Sequence, residues 1–173
     1  ADRYPHFLAV LEAIQSLSVH YEERKRRLNV MDFDDLLVLW RRLLVEHEDL
    51  RAHYTERFLH ILVDEYQDTN LIQGEITDLL ASGHRNIMVV GDDSQSIYSF
   101  RGANYSNILN FPERYPDCRI FRLETNYRST PEILHMANLT IRNNPRQFPK
   151  TLRAVRECGL RPALVSARNT NQQ

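Results

Sequence analysis

Lysine is the residue type that this sequence most clearly lacks. Of its 22 basic residues, 20 are arginines, and only Lys25 and Lys150 are lysines. A phosphate-binding Walker A loop needs Gly-Lys-Ser/Thr in sequence, because its lysine reaches the phosphates. Lys25 follows Arg24 and Lys150 follows Pro149, so neither lysine can belong to such a loop. The sequence therefore contains no Walker A loop.

Glycine, cysteine and long apolar runs are also scarce. The five glycines are too scattered to form another phosphate loop. Cys118 and Cys158 have no CxxC spacing and follow no signal peptide, which favours a reduced, cytoplasmic protein. No run approaches the roughly 18 apolar residues of a membrane span, so we expect no membrane partner. The net charge of −1 excludes a globally basic nucleic-acid binder, but not a local binding groove.

Enough apolar material is present for a folded protein. Hydrophobic residues make up 42% of the 173, which excludes wholesale disorder and fits one domain or pieces of two. Apolar residues at three- and four-residue steps predict an amphipathic helix over residues 4–21 and a second helix from about Asp32. The charged run between them, residues 22–27, is predicted to be a solvated helix end.

Two short apolar runs predict neighbouring strands of a parallel sheet. Residues 58–63 and 86–90 have the length and continuity of strands that are buried on both faces. Helical spacing over residues 71–80 supplies the crossover of a right-handed βαβ unit. In open α/β sheets, ligands bind at the carboxyl ends of the strands. The carboxylates at these two ends are Asp64, Glu65, Asp92 and Asp93.

The remaining sequence predicts a second α/β unit that begins but is incomplete. Residues 111–117 contain two prolines without a clear period and are predicted to be a linker. Residues 119–123 and 163–166 are predicted strands. A helix is expected to begin near Thr130, which can cap it, with Pro131 in the first turn.

The adjacent carboxylates Asp64 and Glu65 suit nucleoside triphosphate hydrolysis. One carboxylate can hold Mg²⁺, which keeps much of its hydration shell, and the other can orient or deprotonate the attacking water. An acidic pair also occurs where a strand simply ends beside a solvated loop. The longer segments that contain and follow this pair distinguish the two interpretations.

Three segments closely resemble motifs II, III and IV of UvrD/Rep-type superfamily 1 DNA helicases. They are DEYQDTN at 64–70, GDDSQSIYSFRGA at 91–103 and LETNYRST at 123–130. The DFDDLL segment at 32–37 also resembles one that this family carries upstream of motif II. The resemblance extends from about residue 30 to residue 140.

The resemblance implies a site for ATP and Mg²⁺. Asp64 and Glu65 would bind the metal, and Glu65 would activate water. Gln95 would sense the γ-phosphate and link hydrolysis to DNA contacts, since its amide can both donate and accept. Tyr127 would stack on the adenine, and Arg128 would be an arginine finger, a role that suits its permanent planar charge.

The resemblance also implies contacts with single-stranded DNA. Tyr98, Phe100 and Arg101 match the strand-binding part of motif III. Flat rings are suitable platforms, because stacking contributes roughly 1–3 kcal/mol per base whatever the sequence. Many relatives have tryptophan where this chain has Phe100, so the stacking area is expected to be smaller here.

The resemblance implies an α/β fold: a partial RecA-like (P-loop NTPase) parallel sheet with flanking helices, and an incomplete second RecA-like unit. Residues 1–30 would end an inserted helical subdomain, residues 31–116 would form the C-terminal half of the first motor domain, and residues 117–173 would begin the second. We therefore expect an internal segment of a longer helicase. Alone, it is expected to lack ATPase activity and to self-associate through unpaired strand edges.

The function that the resemblance implies is ATP-dependent translocation on single-stranded DNA in the 3′-to-5′ direction, with unwinding at duplex junctions and a role in DNA repair. One alternative is the helicase subunit of a helicase–nuclease recombination complex. The other is a non-catalytic DNA-binding or interaction remnant. The intact set of Asp64, Glu65, Gln95 and Arg128 argues against the remnant.

Overall fold

The computed structural model of the chain describes residues 5–166 and residue 169. Helices and short strands follow one another along it as a mixed α/β protein. The helices are α1 (Leu11–Leu28), α2 (Phe33–Glu46), α3 (Glu48–Arg57), α4 (Leu71–Ala81), α5 (Ser106–Leu109), α6 (Phe111–Arg114) and α7 (Pro131–Ile141). The strands are β1 (Ile61–Val63), β2 (Ile87–Val89), β3 (Thr125–Asn126) and β4 (Arg153–Ala154). No helix in the described part of the chain is long and apolar enough to cross a membrane.

The chain divides into two compact units. The first extends to Ile61 and includes Ile72–Asn86, so it contains α1, α2, α3 and most of α4. The second contains Leu62–Leu71 and continues from Ile87. All three segments that resemble helicase motifs II, III and IV therefore lie in the second unit.

In the first unit, α1 confirms the predicted amphipathic helix but differs in its extent. It begins at Leu11 after a 3₁₀ turn over Pro5–Val10, and residue 4 lies outside the described residues. The apolar stripe is exposed in the described structure, as at Leu17 and Tyr21.

The charged run at residues 22–27 is the predicted helix end, since α1 ends at Leu28 and most of the run is exposed, but Lys25 is an exception. Lys25 is buried and lies 2.7 Å from a Glu22 carboxylate oxygen. Its Nζ also donates to Asp32 Oδ2 at 3.1 Å and to Asp35 Oδ1 at 2.8 Å. A buried ammonium needs such partners, and the sequence periodicity gave no sign of them.

Helix α2 begins where the sequence predicts, and its first turn explains why. Asp32 is the N-cap residue, and its Oδ1 accepts the backbone N–H of Asp35 at 2.9 Å. The Asp35 carboxylate accepts the backbone N–H of Asp32 at 2.9 Å in return. This reciprocal capping box satisfies two backbone donors that the helix itself leaves unpaired. Further along, Leu44 of α2 is completely buried.

Strands β1 and β2 form a parallel pair that is shorter than the predicted runs. The backbone N–H of Ile61 donates to the carbonyl of Asn86 at 2.9 Å, and that of Val90 to the carbonyl of Val63 at 2.8 Å. The prediction of burial on both faces is wrong for this chain. Leu62 is 66% exposed, because no described element covers that face of the pair.

The small core of the second unit lies beside this pair. It consists of Tyr66, Ile108 and Phe111, with Val63 and Val89 packed against it. The Tyr66 and Phe111 rings meet edge to face with centroids 5.9 Å apart, an arrangement that aromatic pairs favour. The predicted linker over residues 111–117 is therefore wrong at its start, where Phe111 opens α6 and is buried.

Strands β3 and β4 form a second short parallel pair, with Thr125 opposite Arg153 and Asn126 opposite Ala154. The predicted strands at 119–123 and 163–166 are wrong. Their apolar residues are exposed and have no neighbouring strand in the described structure, so the hydrophobic pattern alone did not create a strand.

Helix α7 begins at Pro131, as predicted. Thr130 is at the N-cap position, but its side chain makes no capping hydrogen bond. Glu132, in the first turn of the helix, instead accepts the backbone N–H of Gly159 at 3.1 Å. This bond holds the segment after β4 against the start of α7 and lowers the pKa of Glu132.

Candidate functional site

The two predicted metal and catalytic carboxylates lie in a turn directly after β1. Asp64 and Glu65 are both exposed, and Asp64 Oδ1 accepts the backbone N–H of Glu65 at 2.9 Å. Glu65 has φ 50° and ψ 41°, in the left-handed region. For a residue other than glycine this conformation costs about 1–3 kcal/mol, and such strain concentrates at functional sites. The turn thus presents both carboxylates at the carboxyl end of the strand.

Gln67 joins this turn to the loop after β2. Its side chain is only 1% exposed, and its Nε2 donates to Glu65 Oε2 at 2.7 Å. Its Oε1 accepts the backbone N–H of Asp92 at 3.0 Å. A carboxylate needs a donor and an N–H needs an acceptor, so only one orientation of the amide satisfies both. We did not single out Gln67 from the sequence, where its place within the 64–70 segment was the only signal.

Gly91 allows the close approach of the two loops. A Cβ at this position would lie 2.5 Å from Gln67 Oε1 and 2.8 Å from Ile108 Cδ1. It would also lie 3.2 Å from the backbone nitrogen of Tyr66. Only glycine fits here without displacing its neighbours, which gives the first residue of the GDDSQ segment a physical role.

Asp92, the next residue, accepts hydrogen bonds from two groups of the same loop. Its Oδ1 accepts the backbone N–H of Ser94 at 3.0 Å, and its Oδ2 accepts Gln95 Nε2 at 2.8 Å. The predicted phosphate sensor Gln95 is therefore held by the carboxylate of a residue whose backbone N–H donates to Gln67. The structure thereby links Glu65 to Gln95 through the side chain of Gln67 and through the backbone and carboxylate of Asp92.

A lysine from far along the sequence completes the cluster. Lys150 Nζ donates to Asp92 Oδ1, and it donates to Asp93 Oδ1 at 3.2 Å. Asp93 Oδ2 accepts the backbone N–H of Phe148 at 3.2 Å. Burial works to raise the pKa of Asp92, but the hydrogen bonds from Lys150 and Gln95 outweigh it and hold that pKa below its ordinary value.

The segments that resemble motifs II and III also meet at their far ends. Asn70 and Ala103 form an antiparallel bridge, and the backbone N–H of Asn104 donates to the carbonyl of Thr69 at 2.9 Å. Asn107 is buried, and its Nδ2 donates to Thr69 Oγ1 at 3.0 Å and to the carbonyl of Asn70 at 3.0 Å. The two segments are therefore bonded to each other near both ends.

The predicted DNA-contacting residues lie in a surface turn between these ends. The rings of Tyr98 and Phe100 are tilted by 47° with centroids 6.0 Å apart, and Phe100 is 76% exposed. Gly102 closes the turn at φ 85°, a conformation that glycine adopts without strain. The backbone of Arg101 belongs to this turn, but its side chain lies outside the described part of the structure.

The predicted adenine and γ-phosphate contacts follow β3. Asn126 Oδ1 accepts the backbone N–H groups of Arg128 at 3.0 Å and of Ser129 at 2.7 Å. Arg156 Nη1 donates to the carbonyl of Arg128 at 2.9 Å, which holds the turn from the other side. The turn is thus fixed through its backbone, while the side chains of Tyr127, 75% exposed, and Arg128 are directed to the surface.

The structure does not bring every predicted residue together. Within residues 5–166 and 169, no hydrogen bond or ion pair connects Arg128 to Asp64 or Glu65. The described residues also contain no group of three or more potential metal ligands. Two exposed carboxylates nevertheless fit Mg²⁺, which is commonly held by one or two carboxylates together with the phosphates of its nucleotide.

Comparison with known proteins places this arrangement in a family. The profile of the UvrD/REP helicase N-terminal domain matches residues 9–116, which include the Asp64–Asn70 turn and the Gly91–Ala103 loop. The chain belongs to the UvrD/Rep helicase family. The resemblance inferred from the three segments is confirmed, and the match also includes all of α1, upstream of the region on which that inference was based.

Individual relatives in this family align with most of the chain. The chain is 42% identical over 144 residues to the putative ATP-dependent DNA helicase YjcD of Bacillus subtilis, 83% of this chain and 19% of that protein. It is 44% identical over 144 residues to ATP-dependent DNA helicase PcrA of Leuconostoc citreum, with the same two shares. It is 40% identical over 153 residues to ATP-dependent DNA helicase Rep of Escherichia coli, 88% of this chain and 23% of Rep. The chain thus spans about a fifth of the length of these relatives.

Proposed function

We propose that the chain is a segment of an ATP-dependent DNA helicase that couples ATP hydrolysis to 3′-to-5′ movement on single-stranded DNA and to duplex unwinding. Relatives named ATP-dependent DNA helicases support this proposal, as does membership of the UvrD/Rep family. Single-stranded DNA and duplex junctions are the proposed partners.

One structural observation carries the proposal furthest: Glu65 is bonded to Gln67, Gln67 to the backbone of Asp92, and the Asp92 carboxylate to Gln95. In our proposal Glu65 activates water and Gln95 senses the γ-phosphate. The link between Glu65 and Gln95 allows a bound γ-phosphate to affect the carboxylate that acts on the water. The motif III loop that carries Gln95 continues to Tyr98 and Phe100, so the same loop also reaches the proposed DNA contact.

Asp64 and Glu65 are the proposed Mg²⁺ ligands and Glu65 the general base. When bound with ATP, the metal would neutralise developing charge on the phosphates. Glu65 is exposed and accepts one N–H from Gln67, which orients its carboxylate without occupying both oxygens. General-base catalysis of this kind contributes about 10²–10⁴-fold in rate.

Tyr127 and Arg128 are the proposed contacts for the adenine and the γ-phosphate. Their backbone is held by Asn126 and Arg156, so the two side chains are presented from a fixed turn. An arginine that reaches the transferred phosphate contributes about 10³–10⁵-fold in rate in related chemistry. The exposure of both side chains suits groups that await a ligand.

Tyr98, Phe100 and Arg101 are the proposed contacts for single-stranded DNA. The exposed ring of Phe100 offers a stacking surface for a base, and Tyr98 lies beside it. Stacking on an aromatic side chain contributes about 1–3 kcal/mol per base and does not depend on the base sequence. This suits an enzyme that moves along DNA of any sequence.

The proposed fold is a partial RecA-like motor domain followed by the start of a second one, with boundaries near residues 30 and 116. The short parallel pairs β1–β2 and β3–β4 support this assignment. In our proposal the chain alone has no ATPase activity, because the opposing phosphate loop is not part of its sequence. In the same proposal, unpaired strand edges favour self-association.

The direct test measures ATP hydrolysis by the full-length protein that carries this chain, with and without single-stranded DNA. We expect DNA-stimulated turnover, and we expect Glu65→Gln to lower kcat by about 10²–10⁴-fold because it removes the base. Glu23→Gln, on α1 of the first unit, is the matched control and should retain wild-type turnover. DNA binding without hydrolysis in the wild-type protein would favour a non-catalytic remnant and contradict the proposal.

A further inference from the structure

Lys150 lies outside all the segments that resemble helicase motifs, yet it is bonded to the motif III loop. It follows α7 in a stretch without regular structure, 55 positions beyond Gln95 in the sequence. Its side chain is mostly buried between Asp92 and Asp93, and Asp93 is the more deeply buried of the two. The backbone of Phe148, two residues earlier, also bonds to Asp93. The segment 148–150 is thus attached to the loop by a side chain and by the backbone.

This attachment differs from an ordinary surface ion pair. Asp93 is buried and Asp92 is partly buried, and these two neighbouring carboxylates repel each other. Without a cation, their charge would be left uncompensated where water solvates it poorly. Burial works to lower the pKa of Lys150, but the bonds to Asp92 and Asp93 outweigh it and raise that pKa above its ordinary value. The lysine is therefore charged at neutral pH and held where it lies.

The geometry of Asp92 makes this charge matter for Gln95. Lys150 and the Ser94 backbone N–H occupy Oδ1, so the carboxylate cannot rotate freely, and Oδ2 is directed at the Gln95 amide. Because Gln95 donates to Oδ2, the direction of its amide depends on the orientation of this carboxylate. Removing Lys150 would free Asp92 to rotate and would loosen Gln95 without touching it.

We propose that Lys150 is a positioning residue, which holds Asp92 and Asp93 so that Gln95 keeps the orientation needed for phosphate sensing. The role of Gln95 in this inference rests on the proposed function. Lys150 contacts neither water nor nucleotide in this scheme and acts only through Asp92. It also links any movement of the segment 148–150 to the loop that carries Gln95.

The experiment compares Lys150→Met, Lys150→Arg and Lys25→Met in the full-length protein. Methionine keeps the length of the side chain and removes the charge, whereas arginine keeps the charge. Lys25→Met is the matched control, because Lys25 also donates to two aspartates but has no bond to Asp92, Asp93 or Gln95. The measurements are kcat and KM for DNA-stimulated ATP hydrolysis, the thermal midpoint, and hydrogen exchange at the backbone N–H groups of Ser94 and Phe148.

We expect Lys150→Met to lower kcat by about tenfold, since small displacements of a positioned group have effects of this size or larger. KM for ATP should stay within about twofold of wild type, because only the catalytic step is affected. Exchange at Ser94 and Phe148 should accelerate in this variant. Lys150→Arg should recover most of kcat, and Lys25→Met should lower the thermal midpoint while kcat remains at the wild-type value.

A coupled substitution isolates the path through Asp92. Once Asp92→Asn has removed the carboxylate, Lys150→Met should lower kcat little further, because groups that act in series are not additive. Independent, multiplicative effects of the two substitutions would overturn the inference. So would wild-type kcat in a folded Lys150→Met protein, or an equal loss of kcat in Lys25→Met.

The hydrogen-exchange measurement separates this inference from the proposed function. If the wild-type protein hydrolyses no ATP, the proposed function fails, but accelerated exchange at Ser94 and Phe148 in Lys150→Met still supports the positioning of the loop. If exchange at both N–H groups is unchanged, the inference fails even when the wild-type protein is an active ATPase.

Discussion

Lys25 and Lys150 are the only lysines of this chain, and each is bonded to two aspartates in a different unit. In the first unit, the aspartates that Lys25 contacts form the capping box of α2. In the second unit, the aspartates that Lys150 contacts begin the motif III loop, and one of them holds Gln95. The same chemistry thus stabilises a helix start in one region and a candidate site in the other.

The two clusters differ in the groups to which the aspartates are hydrogen-bonded besides lysine. The Asp32 oxygen that Lys25 does not contact accepts a backbone N–H of its own helix, so the effect of Asp32 is local. The Asp92 oxygen that Lys150 does not contact accepts the side-chain amide of Gln95, and the Asp92 backbone N–H donates to Gln67. A buried lysine is therefore no sign of function by itself. The functional proposal for Lys150 depends on the groups that its partners hold.

Substituting glycine by alanine tests this difference with the largest expected effect. Gly91→Ala places a Cβ 2.5 Å from Gln67 Oε1, so Gln67 must move away from Glu65 and Asp92. We expect the free energy of unfolding to fall by about 1–3 kcal/mol, as in other overpacked interiors. DNA-stimulated kcat should fall by at least about tenfold in the protein that remains folded. Urea unfolding and ATP hydrolysis by the full-length protein measure the two effects.

Gly83→Ala is the corresponding variant in the first unit. Its Cβ would lie 2.6 Å from Thr55 Cγ2, a comparable clash at a position with no bond to the candidate site. It should lower the free energy of unfolding and leave kcat unchanged. Equal losses of kcat in the two variants would show that the second unit is no more sensitive than the first.

In the first cluster, the expected effect is smaller than that of the glycine substitutions, and it concerns how the free energy of unfolding depends on acid pH. The Asp35 backbone N–H, Lys25 and Tyr21 lower the pKa of Asp32 from 3.8 to about 2. A lowered carboxylate pKa stabilises the folded state above the ordinary pKa, and the stabilisation disappears as the pH falls through the folded-state pKa. The free energy of unfolding should therefore decrease between about pH 4 and about pH 2.

Asp32→Asn provides the control for this acid dependence. Asparagine is as good an N-cap as aspartate but does not titrate, so the helix start is kept while the pH dependence of this position is removed. Urea unfolding at several pH values should show a shallower decrease in the variant than in the wild-type chain. An identical decrease would mean that Asp32 contributes nothing to acid sensitivity.

The sequence predicted the elements with strong periodicity and local start signals. Helix α2 begins at the predicted residue because Asp32 is a good N-cap, and α4 follows its apolar spacing closely. The predicted strands at 119–123 and 163–166 failed, because strand formation depends on pairing with a neighbour, which no local pattern guarantees. The buried position of Phe111 was missed because two nearby prolines favoured a linker.

Residues of the candidate site could be proposed from the sequence, but their connections could not. Glu65, Gln95 and Arg128 follow from resemblance to a family, residue by residue. Gln67 and Lys150 did not stand out, since a glutamine inside a motif and a lysine beyond it are ordinary polar residues until folding brings them to Asp92. Bonds across 25 and 58 positions of sequence are a property of the tertiary structure.

The most direct test of this account is the kcat of DNA-stimulated ATP hydrolysis in the Gln67→Met variant of the full-length protein. Methionine fills the buried space but can neither donate to Glu65 nor accept from Asp92. If Gln67 aligns the water-activating carboxylate with the phosphate-sensing loop, kcat should fall by about 10²-fold in the variant protein that remains folded. A folded Gln67→Met protein with wild-type kcat would contradict the account.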